Sequence, residues 1–336
     1  MGVLEMSQCV EQPLEGAREP LLKKPVLYLF PAAMESMKAH VGLFETDFPP
    51  FSVQSVDLFR GVFSPTFALL QPSCTVPVLL MPNGKTFRDA EEILTFVHNA
   101  YPSKGELNLS SEVEASVKEF SDLVSSWDEI EFSFGNPYAS RSRGLIEMSV
   151  VWRIRMGALR KNLRMYGQRY PALVSTYLKR INELEKQDFT WDLRVEKALE
   201  SSRVLEQILD RAEEHLSKNQ FLFGGIWTIA DSMLVPVLHR ITELGHGQRI
   251  ERRINLTRYF VMVTGRPSFQ LAIAPFDSSW MRRNFYKKLL IEILLRALPY
   301  VAILLVFVLI VVMAIAEHAH HITAGGHGPF VPPDSP

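Results

Sequence analysis

The period of hydrophobic and polar positions changes along the chain, and each change marks an element. Residues 26–30, VLYLF, form a short apolar run between Pro25 and Pro31 and read as a β-strand. Residues 34–44 suit a helix. Residues 51–57 alternate through Phe51, Val53 and Ser55, as a strand does. Residues 76–81 are a second apolar strand, and Pro82-Asn83-Gly84 after it signals a hairpin, with residues 85–88 returning. Residues 89–100 then put Ile93, Leu94 and Val97 on the inward face of an amphipathic helix.

From Glu112 to about Ala274 the periodicity is helical, with a loop expected over residues 132–144, where Gly135, Pro137 and Gly144 interrupt it. The stretch around which the second half is organised is residues 221–240, FLFGGIWTIADSMLVPVLHR. Gly224-Gly225 breaks what precedes. Thr228 stands three residues before Asp231, ahead of an apolar run through Met233, Leu234, Val237, Leu238 and Ile241. This is a capping-box pattern: the Thr228 hydroxyl can accept from the Asp231 N–H, and the Asp231 carboxylate can reach back to the first free N–H. A buried helix fixed this way reads as the spine of an all-α domain.

The order βαβ, ββ hairpin, α in the first half is thioredoxin-like, so the fold expected is an α/β thioredoxin-like N-terminal domain followed by an all-α C-terminal domain. The 336 residues divide into an arm (1–24), the α/β domain (25–101), a linker (102–111), the helical domain (112–280), a basic segment (281–296), an apolar helix (297–316) and a polar tail (317–336). Ala297–Ala316 carries no charge over about 30 Å of helix, enough to cross a bilayer. Arg282, Arg283, Lys287, Lys288 and Arg296 precede it, and no Lys or Arg follows. The positive-inside rule then leaves the N-terminal domains in the cytosol, on a tail-anchored protein of the endomembranes, the plasma membrane or the outer mitochondrial membrane.

Composition narrows the chemistry. A net charge of −1 gives no bias toward nucleic acid. Cys9 and Cys74 are far apart, which excludes a disulfide framework and suits a reducing compartment. The arm has Glu5, Glu11, Glu15 and Glu19 and no apolar run, so it is no secretory signal. His318, His320, His321 and His327 lie in a tail expected to be solvated and unstructured, so no metal is expected. Between 141 and 180 the basic residues face Glu147 as the one acid; Arg153, Arg160 and Arg164 share a face, more nearly opposite Met156, Leu159, Leu163 and Tyr166. Such a helix either lies on anionic lipid or a partner, or simply presents a solvated face.

The G-x-x-x-T-x-A-D run ending at Asp231, together with Leu256-Thr257-Arg258-Tyr259-Phe260 and Arg266-Pro267-Ser268-Phe269, resembles the C-terminal domain of cytosolic-type glutathione transferases. The resemblance covers about residues 25–280. It implies that Pro77 follows a cis bond and that Val76 offers its backbone to the cysteinyl part of glutathione. It also implies that Asp89-Ala90 stands where the family has Glu/Gln-Ser for the γ-glutamyl group. At the thiol, the family segment L-Y-x-x-x-x-S-x-x-S-x-K-V-R lies over residues 27–40; Ser36 and Lys38 match. Ala33, Met34 and Glu35 stand where the thiol-activating Ser, Tyr or Cys would, leaving Ser36 as the catalytic candidate. In the loop before Pro77, Gln71 replaces the family's asparagine.

Ala230-Asp231-x-Met233-Leu234-x-Pro236-Val237-Leu238-x-Arg240 and Arg266-Pro267-Ser268 resemble the plant tetrachlorohydroquinone dehalogenase-like glutathione transferases. In its insert and anchor the chain resembles the ganglioside-induced differentiation-associated protein family. These resemblances imply a tail-anchored protein with glutathione as co-substrate, conjugating or reductively dehalogenating apolar electrophiles, with the lipid membrane and a second copy as partners. The alternative is a catalytically weak or inactive transferase-like protein that binds partners or lipid on an organelle membrane.

Overall fold

A computed structural model describes residues 23–102, 109–134, 141–186, 191–276 and 278–324. Most of the arm and of the linker, and the end of the tail with His327, lie outside the described residues. The N-terminal half holds β1 (Val26–Leu29), α1 (Met34–Glu45), β2 (Ser52–Ser55), α2 (Pro65–Leu70), β3 (Val78–Leu80), β4 (Thr86–Phe87) and α3 (Ala90–Ala100). The sheet order is β2-β1-β3-β4, with β1 parallel to β2 and antiparallel to β3. This is the thioredoxin-like arrangement. Helix α2 was not anticipated from the hydrophobic pattern. Ser64 caps it, its hydroxyl accepting from the Phe67 N–H at 3.3 Å, and Pro65 opens it where a missing N–H costs nothing. The apolar run from Val76 becomes regular strand only at Val78, after Pro77, which has no N–H for a ladder.

The helical half holds α4 (Ser111–Ser125), α5 (Glu129–Phe134), α6 (Arg141–Tyr166), α7 (Pro171–Glu185), α8 (Trp191–Leu216), α9 (Ile229–Glu243), α10 (Gln248–Glu251), α11 (Ile254–Thr264) and α12 (Pro267–Ala272). The loop expected over 132–144 is corrected at both ends: α5 runs to Phe134 and α6 starts at Arg141, with Gly144 inside its first turns. Helix α9 is the spine, buried from Ala230 to Ile241, and packs on α1 and α4. Thr228 and Asp231 form a capping box at its start.

Two apolar layers flank the sheet. On one side Leu27, Leu29, Leu79 and Phe87 meet Ala39 and Leu43 of α1 and Ile93 and Val97 of α3. Gly42 allows that approach, since a Cβ there would come within 2.1 Å of Leu94 Cδ2. On the other side Val56, Phe63, Phe67, Val76 and Val78 meet Met156 and Leu159 of α6 and Tyr177, Ile181 and Leu184 of α7. The C-terminal end of α1 is clasped to the helical half: the Glu45 carboxylate, almost wholly buried, accepts from Arg266 Nε at 2.7 Å, from Arg266 Nη2 and from the Ser268 hydroxyl.

Residues from Ser278 onward form a separate unit, the helix α13 (Ser278–Ala324). Its segment Ala297–Ala316 is 20 residues long, apolar enough to cross a membrane, and none of it is buried. The expectation of an unstructured tail from residue 317 is corrected as far as Ala324, to which the helix continues.

Candidate functional site

The N-terminus of α1 is where the transferase resemblance puts thiol chemistry. A helix start offers free backbone N–H groups and partial positive charge. Here the N-cap is Ala33, extended at φ −81°, with no side-chain cap bond. Ser36 is wholly buried in the first turn, and its hydroxyl accepts from the Phe30 N–H at 3.3 Å. The charges around this end are paired. Glu35 is half-exposed and meets Lys38 Nζ at 2.6 Å, so it does not stand as an uncompensated negative charge. Arg240 reaches from α9 to donate to the Ala32 carbonyl, and its Nε lies 2.5 Å from Glu129 Oε1. Burial raises the Glu129 carboxyl above the usual range, against the pull of Arg240 and Lys38.

The Val76–Pro77 peptide is cis, as the resemblance implies. The loop before it is held by Gln71, buried, whose Nε2 donates to the Arg88 carbonyl at 2.7 Å. Gln71 thus fastens the loop of Val76 and Pro77 to the residue next to Asp89, which brings these candidate glutathione contacts onto one framework. Asp89 caps α3, its Oδ1 accepting from the Glu92 N–H at 2.7 Å, and it lines an open groove of about 600 Å³ with Lys85, Phe87, Glu92 and Phe96. Lys85 Nζ sits 4.7 Å from the Phe87 ring, itself stacked on Phe96. Ala90 is wholly buried in the layer under α1 and has no side chain to offer a ligand.

The pair α6–α7 lies directly over the other face of this domain. The Phe63 carbonyl accepts from Asn162 Nδ2 at 2.5 Å and from the Tyr177 hydroxyl at 3.0 Å, and Trp152 Nε1 donates to the Leu184 carbonyl at 2.9 Å. The apolar side of the basic helix packs on protein through Met156 and Leu159; Arg153, Arg160 and Arg164 remain exposed, and Arg160 pairs with Glu185 at 3.0 Å. Cys74 lies under this cover, and burial pushes its thiol up to about 11, against the pull of Arg180 and Arg155. A thiol held that high is inert at neutral pH.

Asp231 is wholly buried and accepts four hydrogen bonds. Its Oδ1 accepts from the Leu222 N–H at 3.1 Å and the Tyr259 hydroxyl at 2.9 Å; its Oδ2 accepts from the Thr228 N–H and the Thr228 hydroxyl, each at 2.9 Å. Burial pushes its carboxyl up to about 6 despite these donors. Thr228 and Asp231 sit in the spine, and their geometry is that of a cap. Two features of the site escape a reading of sequence. Arg240 stands in the quoted motif, but its contact with Ala32 spans 208 positions. The cover by α6–α7 leaves only an amphipathic period as its trace.

Residues 197–260 match the family model of the glutathione S-transferase C-terminal domain. The chain is 25% identical to the glutathione S-transferase TCHQD of Arabidopsis thaliana, over 76% of this chain and 92% of that one. It is 29% identical to the tetrachloro-p-hydroquinone reductive dehalogenase of Sphingobium chlorophenolicum, over 34% of this chain and 46% of that one. Among solved structures it is similar to the β-etherase LigF of Sphingobium sp. strain SYK-6, at a TM-score of 0.51 and 20% identity, covering 74% of this chain and 97% of that one. It is also similar to Gtt2 of Saccharomyces cerevisiae, at 0.50 and 14%, covering 74% and 100%. The fold is that of a glutathione transferase, and the sequence is a distant match to TCHQD.

Proposed function

We propose that this chain is a glutathione transferase-like protein tethered to a membrane by α13, which binds glutathione and activates its thiol poorly. The observation that carries this reading is the N-terminus of α1. A free thiol titrates near 8.5, and lowering it by two units requires about 2.7 kcal/mol of selective interaction with the thiolate. In the family a hydroxyl at the position of Ala33 supplies a donor. Here Ala33 has none, and Ser36 is turned into the protein. The framework that would hold the peptide supports binding: the cis Val76–Pro77 segment, fixed through Gln71, and Asp89, whose second oxygen can meet the γ-glutamyl amine. Turnover of apolar electrophiles at neutral pH is then slow. The site serves more for binding than for chemistry, and the α6–α7 cover favours the interaction-protein alternative over an efficient enzyme.

Ala297–Ala316 supports the tether by length, lack of charge and lack of burial, and the basic residues before it orient the large N-terminal part to the cytosol. Deletion of residues 298–336 should free the protein from carbonate-washed membranes; persistent sedimentation would mean that another part attaches it. For the site, thiolate absorbance of bound glutathione is followed against pH. The wild type should titrate near the free value, and Ala33→Ser should lower it by one to two units, or roughly 1.4–2.7 kcal/mol, and raise conjugation of a chlorinated aromatic. A wild-type value already two units low would overturn the reading. Asp89→Ala should weaken retention on immobilised glutathione.

A further inference from the structure

The interface between α6–α7 and the thioredoxin-like domain holds two arginines that the proposed function does not use. Arg155 of α6 lies with its guanidinium 5.3 Å from the Phe63 ring. Arg180 of α7 is largely buried and pairs with Glu183, one turn further along its own helix. The Nε of Arg155 and that of Arg180 are both buried and lack a hydrogen-bond partner among the described residues. Arg155 meets no carboxylate among the described residues. Its surroundings are Phe63, Cys74 and the second guanidinium, and burial together with Arg180 pulls its pKa down to about 10.

Two arginines at this interface, each with a buried Nε that lacks a partner and with one half-exposed carboxylate on Arg180, leave excess positive charge against an apolar cluster. An uncompensated buried charge is costly, and buried charges are as a rule paired. The exposed arginines elsewhere on α6, Arg153, Arg160 and Arg164, face water and raise no such demand. Guanidinium is the group best matched to a planar or tetrahedral oxyanion, because its Nε–Nη edge donates two parallel hydrogen bonds.

We infer that Arg155 and Arg180 form a subsite for an oxyanion, a carboxylate or phosphate on a small molecule, between α6–α7 and the loop that carries Cys74. Occupancy joins α6 to α7 through charge, where Asn162 and Tyr177 join the two helices to the thioredoxin-like domain through the Phe63 carbonyl. The oxyanion has two sources of the same chemistry: a free phosphate or carboxylate metabolite, or a carboxylate of glutathione.

The test uses the full chain in detergent and reads thermal unfolding with and without millimolar inorganic phosphate, and separately with glutathione. In wild type, phosphate should raise the Tm by several degrees through binding to the folded state. Arg155→Met should abolish the rise, while Arg160→Met, which touches only the exposed pair with Glu185, should keep it. Without added anion Arg155→Met should match or exceed wild type in Tm, since it removes a buried unpaired charge; a merely structural arginine would give a loss in both conditions. Arg155→Lys should retain charge and lose most of the rise. Glutathione protection that depends on Arg155 identifies the tripeptide as the source; phosphate protection alone identifies a separate metabolite and leaves the glutathione reading to stand or fall on Asp89. If neither anion shifts the wild-type Tm, or if Arg155→Met responds as wild type does, the subsite does not exist.

Discussion

Helices α1 and α9 both start inside the molecule, and they treat their free N–H groups in opposite ways. At α9 the chain supplies its own anion. Asp231 returns to the cap, and Thr228, Leu222 and Tyr259 complete its shell. At α1 the cap is Ala33, and the nearest hydroxyl, Ser36, faces the preceding loop. One helix start is closed by its own residues and serves as foundation. The other has no side-chain cap, and the carboxylates near it, Glu35 and Glu129, are paired with Lys38 and Arg240 instead. In this fold the difference separates residues that maintain the architecture from those that can change with function.

The largest test of that contrast is Asp231→Ala. It leaves the Tyr259 hydroxyl, the Leu222 N–H and both Thr228 donors buried without an acceptor, and should cost about 3–5 kcal/mol in urea unfolding. A cost below about 1 kcal/mol, the ordinary value of a helix cap, would erase the distinction.

The next test uses pH. Burial pulls the His40 imidazole on α1 from 6.5 to about 4, and pushes the Asp231 carboxyl on α9 from 3.8 to about 6. For His40 the unfolded chain binds the extra proton between these values, so its contribution is lost as pH falls from 6.5 through 4. For Asp231 the folded chain binds it, so its contribution is lost as pH rises from 3.8 through 6. Each amounts to about 3 kcal/mol at full extent, and the two oppose one another. His40→Phe should remove one slope. Relative to wild type it should gain about 3 kcal/mol as pH falls through the histidine window, measured by chemical denaturation at stepped pH. Parallel profiles would show that His40 binds its proton equally in the folded and the unfolded chain, so that burial does not shift it.

The smallest effects sharpen the contrast at the caps themselves. Thr228→Val should cost about 1 kcal/mol, and Ala33→Ser, which gives α1 the hydroxyl it lacks, should add at most about 1 kcal/mol. Equal and opposite changes would show that both helix starts follow the same capping rule and differ only in which residues stand there.

Much of the architecture was legible because local signals and tertiary structure agree. The alternation of Val53 and Ser55, the Pro82-Asn83-Gly84 turn and the Thr228–Asp231 spacing each name an element by its own chemistry. Helix α2 was hidden because its six residues are too few to show a helical period, although Ser64-Pro65 marks its start. The site was less legible. Whether Ser36 faces a ligand or the core depends on about one residue's rotation of α1, and the burial of Ala90 depends on how α3 meets the sheet. The partners of the Phe63 carbonyl lie 99 and 114 positions away, and no local pattern reports them.

The clasp on Glu45 carries a consequence for synthesis on the ribosome. Its partners Arg266 and Ser268 lie 221 and 223 positions downstream. At about 5–20 residues per second, roughly 10–45 s separate the emergence of the carboxylate from that of its first partner. During that interval the thioredoxin-like half is a nascent chain whose α1 ends in a charge it cannot bury. The clasp can close only shortly before the apolar segment of α13 is translated, so completion of the fold and exposure of the greasiest part of the chain fall almost together in time.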